Sequence, residues 1–184
     1  MLFRDSDTYG QIRRHMRNTA HYATMLAEWI RLDITKTNEI YAAGLLHDIG
    51  KAYIDRAILD KPEPLDDVER RKVQRHAEYG AAALERYGFG KNIVLAVRHH
   101  HENYDGSGYP EGLKGDGIPL YARILRICDF YDAMTSVRPY RKQPYSPAEA
   151  IAAMSASGGV DMTLLREFVR MLGDWRFLFR EDKR

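Results

Sequence analysis

The chain is predicted to be all-α, a single-domain helical bundle, and three features predict it. Apolar residues recur at three- and four-residue steps along most of the 184 residues, the period of a helix with one buried face. No segment shows a convincing strand pattern, an internal repeat or low complexity. Helix-breaking residues concentrate in one place: five glycines and two prolines fall within residues 105–119. The length suits one domain with a real core and is short for two, so one domain is expected over residues 1–184. Its helical core should cover about residues 9–172, followed by a short C-terminal tail.

The first helix is carried by Tyr9, Ile12, Met16, Ala20, Ala23, Leu26, Ala27 and Ile30, which form one stripe at about 100° per residue. His15 projects at the edge of that stripe, with Gln11 one turn earlier on the same side, whereas His21 falls on the opposite face. A second helix is expected from about Asn38 to His47, ending near Gly50 as helices often do at glycine. The next runs from Asp66 to Tyr87, where Asp66 and Glu69 have the spacing of a capping box. A shorter helix covers Lys91–His100. After the glycine-rich segment, Leu120–Thr135 reads as an apolar helix carrying Asp129. Ser146 as cap, Pro147 at the first helical position and Glu149 at the third open another. A final helix over Met162–Leu172 precedes an apolar-aromatic stretch and the charged Glu181-Asp182-Lys183-Arg184. Residues 105–119 are expected to hold no regular structure. A loop of that length is usually functional or disordered, and its place directly after a histidine run favours function.

Composition excludes several classes. A net charge of +2 is too small to argue for a nucleic-acid polymer or an anionic membrane as partner. The single cysteine, Cys128, forbids an internal disulfide and lies in an apolar run that suits burial. No run approaches the roughly 20 apolar residues of a membrane span, and the start lacks a secretory apolar region. A cytoplasmic location is expected.

Seven residues then form a joint signal: His15, His47, Asp48, His76, His100, His101 and Asp129. A lone His15 or His76 would more often be an ordinary polar or core histidine. Adjacent His-Asp and His-His pairs on a helical chain are another matter, because imidazoles and carboxylates are costly to bury unpaired. Five nitrogen and two oxygen donors suit iron, manganese, zinc or nickel better than calcium. Two six-coordinate cations need about twelve bonds. The seven residues provide fewer, even with Asp48 bridging through both oxygens, so positions remain for water and substrate. His99 completes a run of three histidines, and spacing alone does not say which two of them bind metal.

These residues, with LLHDIGKAYI from Leu45, HHENYDGSGYPEGLKGDGIPL from His100 and RICDFYDAMTSVRPYR from Arg126, resemble the HD-GYP family. This branch of the HD phosphohydrolases cleaves cyclic di-GMP in bacteria. The resemblance covers nearly the whole chain and implies an all-α bundle of the HD phosphohydrolase type. It implies His100 and His101 as ligands rather than His99, and His15 rather than His21. It also implies Lys51 beside the nucleophile or scissile phosphate, making Asp48 and Lys51 the catalytic pair, with Tyr109 shaping the substrate pocket and Arg138 contacting substrate phosphate. Some members carry a glutamate one turn before the first histidine and bind a third metal. Gln11 stands there in this chain, so two divalent metals are expected, iron first and manganese second.

The expected activity is phosphodiester hydrolysis of cyclic di-GMP to linear pGpG, with GMP following from a second cut. Metal coordination lowers the pKa of water toward about 7, and Lys51 with the metals offsets charge on the phosphoryl oxygens. Arg138 offers a planar fork for phosphate; Arg141 and Lys114 are further candidates, set against a solvated surface role. Gly106 and Gly108 let backbone approach a phosphate or metal ligand closely. Tyr109 is expected to stack on guanine or bond a phosphate, and Pro110 to stiffen it, the alternative being that both only dock the loop. Asp132 and Glu102 are expected to orient ligands or cap helices. The competing readings are a related ring such as mixed GMP-AMP, and a non-catalytic domain that binds a nucleotide or protein. A homodimer, or a sensory domain attached in a longer parent, is compatible with the resemblance.

Overall fold

A computed structural model describes residues 7–137 and 143–178, with side chains over 10–137 and 143–174. Among the described residues there is no strand. The helices are α1 (Asp7–Trp29), α2 (Ile34–Leu46), α3 (Arg56–Leu59), α4 (Asp67–Gln74), α5 (His76–Arg86), α6 (Lys91–His99), α7 (Leu120–Thr135), α8 (Pro147–Ala156) and α9 (Met162–Leu178). Single 3₁₀ turns lie at Ile49–Tyr53 and Gly115–Gly117.

The bundle is organised around α7, which is apolar on nearly every side and therefore central. Ile124, Leu125, Ile127 and Cys128 are fully buried, and α7 packs against α1, α2, α6, α8 and α9. Phe168 of α9 sits edge-on to Tyr131 and Tyr22, tying the last helix to α7 and α1. Fully burying a side chain such as Phe168 or Leu26 is worth about 1.5–3 kcal/mol. No helix among the described residues is long and apolar enough to cross a membrane.

Several boundaries differ from the sequence expectation, each for a local reason. α2 begins at Ile34 rather than Asn38, because the Asp33 side chain accepts from Lys36 N and caps it. The expected single helix from Asp66 to Tyr87 is two, since the Val73 carbonyl accepts from the Arg75 amide and the His76 ring and turns the chain at Arg75. The two capping boxes, Asp66/Glu69 and Ser146/Glu149, form as read. Gly50 does not end α2 in a left-handed turn. It lies in the 3₁₀ turn, where a Cβ would stand 1.9 Å from the His76 carbonyl oxygen and 2.6 Å from Gly80 N. Residues 105–119 are not wholly irregular: Gly115–Gly117 makes one 3₁₀ turn. α9 continues to Leu178, since its apolar period runs past Leu172. Arg138, Arg141 and residues 179–184 lie outside the described residues.

Candidate metal centre

The seven residues singled out from the sequence meet in one place. They fall into two donor groups, Asp48, His76, His100 and His101 in one and His15, His47 and Asp129 in the other, with ligand atoms within 4.8 Å of one another inside each. His15 comes from α1, His47 and Asp48 from the end of α2, His76 from the start of α5, His100 and His101 from the end of α6, and Asp129 from α7. Asp48 lies between the groups. Its Oδ1 is 3.3 Å from His76 Nε2, while Oδ2 is 3.5 Å from His47 Nε2 and 4.0 Å from His15 Nε2. Asp129 Oδ1 is 2.9 Å from His15 Nε2, and its Oδ2 is 3.8 Å from His101 Nδ1.

Backbone carbonyls set the histidine tautomers. His47, His76 and His100 each place Nδ1 2.7 Å from the carbonyl oxygen three residues earlier, at Gly44, Val73 and Val97. A carbonyl only accepts, so Nδ1 carries the hydrogen and Nε2 is left as a bare lone pair facing the pocket. His76 Nε2 and His100 Nε2 are 3.3 Å apart, and His47 Nε2 is buried with no hydrogen-bond partner. Facing lone pairs without a donor between them are unfavourable unless a cation joins them. The residues therefore fit a divalent transition-metal cation, and the imidazole-rich donor set disfavours calcium.

Charge states agree with this. Burial holds His47 and His76 below the ordinary histidine value, and His100 and His101 well below it, so all four favour the neutral form that binds metal. Burial alone would raise Asp48, but Lys51 and the surrounding histidines hold it well below the usual carboxylate range. Asp129 is likewise held down, against burial, chiefly by its bond with His15. His15 differs: burial works to lower it, yet its bonds with Asp129 and Asp132 prevail and raise it to about 9.

Supporting contacts extend the site. Asp132 Oδ2 is 2.6 Å from His15 Nδ1, and its other oxygen accepts from Asn18 and Ser136. Glu102 is buried and accepts from the amides of Glu111 and Leu113, fastening the glycine-rich loop. Asp132 thus orients a candidate ligand, as expected, whereas Glu102 holds the loop rather than a ligand or a helix end. Lys51 Nζ donates to Asp48 Oδ2 at 2.7 Å with its side chain 26% exposed, so it reaches the pocket from the solvent side. Tyr109 stacks on His101, with ring centroids 4.8 Å apart. Burial and the nearby carboxylates push its phenol pKa up, keeping it a neutral donor.

Gly108 is required by packing within the chain rather than by a phosphate or metal ligand. A Cβ there would lie 2.2 Å from Asn103 N, so the close approach it permits is to the segment just after the histidine pair. Pro110 follows Tyr109 through a cis peptide bond. Of the run of three histidines, His99 turns away, its Nδ1 bonded to Leu95 O and its Nε2 3.5 Å from Glu111 Oε2. His21 is exposed, as its helix face implied. Arg126 was missed by sequence reasoning. It sits one turn before Asp129, donates from Nε to Asn103 Oδ1 at 3.0 Å, and lies over the Phe130 ring at 4.9 Å. The signal was its i,i+3 spacing from Asp129, which a charged residue on a mostly buried helix should have raised.

A family profile described as HD domain matches residues 6–164. The chain is 42% identical over 163 residues to the cyclic di-GMP phosphodiesterase PA4108 of Pseudomonas aeruginosa, covering 86% of this chain and 39% of that protein. It is 36% identical over 164 residues to the 3'3'-cGAMP-specific phosphodiesterase 3 of Vibrio cholerae, covering 87% of this chain and 36% of that protein. The chain therefore spans about two fifths or less of these relatives' length. Among solved structures, the HDG"Y"P protein Bd1817 of Bdellovibrio bacteriovorus superposes with a TM-score of 0.71 at 20% identity, covering 88% of this chain and 52% of that one, a likeness of fold. With the profile covering most of the sequence and such relatives matching along it, this chain belongs to the HD domain family, in its HD-GYP branch.

Proposed function

We propose that the chain hydrolyses a phosphodiester bond of cyclic di-GMP, giving pGpG and then GMP, at a centre holding two divalent cations, iron or manganese. The observation that carries this reading is the pair of donor groups with Asp48 between them, and imidazole Nε2 lone pairs turned inward by backbone carbonyls. Metals bound there would supply Lewis acidity to the phosphoryl oxygens and lower the pKa of an attacking water. His76, His100 and His101 would hold one cation, His15, His47 and Asp129 the other, with Asp48 between. Gln11, a neutral amide, offers no carboxylate for a third.

The chain's own residues do the rest. Lys51 Nζ, anchored by Asp48 at 2.7 Å, places a positive charge where the scissile phosphate enters. Tyr109, held against His101, shields the pocket from water and presents a ring face and a phenol to the nucleotide. Gly108 and Pro110 fix that tyrosine. Arg138 and Arg141 are proposed to contact substrate phosphate. A cytoplasmic setting suits such a second messenger, and relatives longer than this chain leave room for a sensory partner domain.

The likeness to a 3'3'-cGAMP-specific enzyme favours a second reading, in which the mixed GMP-AMP ring is the substrate. Parallel turnover assays of both rings, with metal analysis of anaerobically purified protein, decide. Faster cleavage of cyclic di-GMP with two metals per chain is expected. Preference for the mixed ring selects the second reading, and metal-replete protein that cleaves neither rejects both.

A further inference from the structure

Arg126 is half-buried on α7, one turn before Asp129. Among the described residues its hydrogen bond is the one from Nε to Asn103 Oδ1, and both Nη groups have none. The guanidinium lies over the Phe130 ring. An arginine pinned at Nε and resting on an aromatic floor leaves one planar fork, its Nη pair, to engage a ligand at little further entropy cost. Its charge is felt by His101 and by Tyr109, whereas that of Lys51 is felt by Asp48 and His76. Arg126 therefore acts on the part of the pocket formed by His101 and the loop residue Tyr109, and Lys51 on the part formed by Asp48 and His76.

A cyclic dinucleotide carries its phosphates in the ring and projects its purines outward. With the scissile phosphate drawn to the buried donor groups and Lys51, a purine is what reaches the rim. Guanine presents two adjacent acceptors there, O6 and N7, which match an arginine fork; adenine presents N7 beside an amino donor, which does not.

We propose that the Nη pair of Arg126, seated on Phe130 and braced by Asn103, reads the O6/N7 edge of one guanine of the bound cyclic dinucleotide and is thereby a specificity-determining residue. The assignment rests on the functional reading above. It gives this chain a means of telling guanine from adenine that neither the donor groups nor Lys51 provides.

The test pairs a change in the protein with a change in the base. Wild type and Arg126→Met, which keeps an apolar stem over Phe130, are each assayed with cyclic di-GMP and with its 7-deazaguanine analogue, which lacks N7. Loss of N7 is expected to lower kcat/KM about tenfold in wild type and hardly at all in the variant. Because the ratio is taken within each protein, a smaller folded fraction cancels. An equal penalty in both proteins, or none in wild type, overturns the assignment and leaves the phosphodiesterase reading standing. Wild type that cleaves neither dinucleotide overturns both.

Discussion

Asp48 carries more of the site than any other side chain, because each of its oxygens faces a different donor group. Asp48→Ala is expected to release both cations and lower turnover by more than about a hundredfold; two metals per chain in the purified variant would refute its bridging place. Lys51 is separable from metal binding. Lys51→Ala should keep the metals and lower kcat about a hundredfold, the usual loss when a group stabilising developing charge is removed. Unchanged kinetics would demote it to a surface cation. Asp132 acts one bond further out, on His15 Nδ1. Asp132→Asn should weaken metal affinity about 10- to 100-fold in a chelator competition, as loss of a histidine's outer partner generally does. The ligand types were legible in the sequence because HD and HH pairs are costly without a purpose. The partners of their outer nitrogens were less so: carbonyls at Gly44, Val73 and Val97 carry no side-chain signature at all.

At the scale of elements, the glycine-rich loop shows how one side chain can hold fifteen residues of chain. The Glu102 carboxylate is 1% exposed and takes both the Glu111 and Leu113 amides, at 2.7 and 3.0 Å. Glu102→Ala strands two amides at about 1–3 kcal/mol each. Chemical denaturation should show a loss of about 2–6 kcal/mol, and KM for the dinucleotide should rise while metal content holds. A variant with wild-type KM would show that the loop's position is immaterial to substrate. A clear apolar period made α7 readable and a strong cap made α8 readable. What stayed hidden depended on backbone contacts that carry no side-chain signature. The division at Arg75 follows from where His76 bonds, and the need for glycine at position 50 follows from close approach to the helix backbone at His76 and Gly80 that no local pattern announces.

For the whole molecule, the fold gathers buried ionisable groups from five helices, and His15 meets Asp132 across 117 positions of sequence. Face periodicity placed His15 toward the core but had no way to name that partner. The cost of this gathering should be visible as a pH dependence of stability. In chelated protein, His15 is raised from 6.5 to about 9. Its contribution is therefore full below about pH 6.5 and lost as pH rises through 9. His47, His76, His100 and His101 are shifted the other way. The unfolded chain takes up protons at these four that the fold resists, so their contributions are present above about pH 6.5 and decline as pH falls through the folded values. Chelated protein is thus expected to be most stable near pH 6.5, falling off on both sides. Bound cations change the sign on the alkaline side, because they require His15 Nε2 to give up its proton and stabilise the fold in proportion to occupancy. Metal-replete protein should therefore have its optimum at higher pH. Denaturation curves with and without chelator, from about pH 5 to about pH 10, measure both, and coincident optima would show that the histidines do not exchange protons for metal.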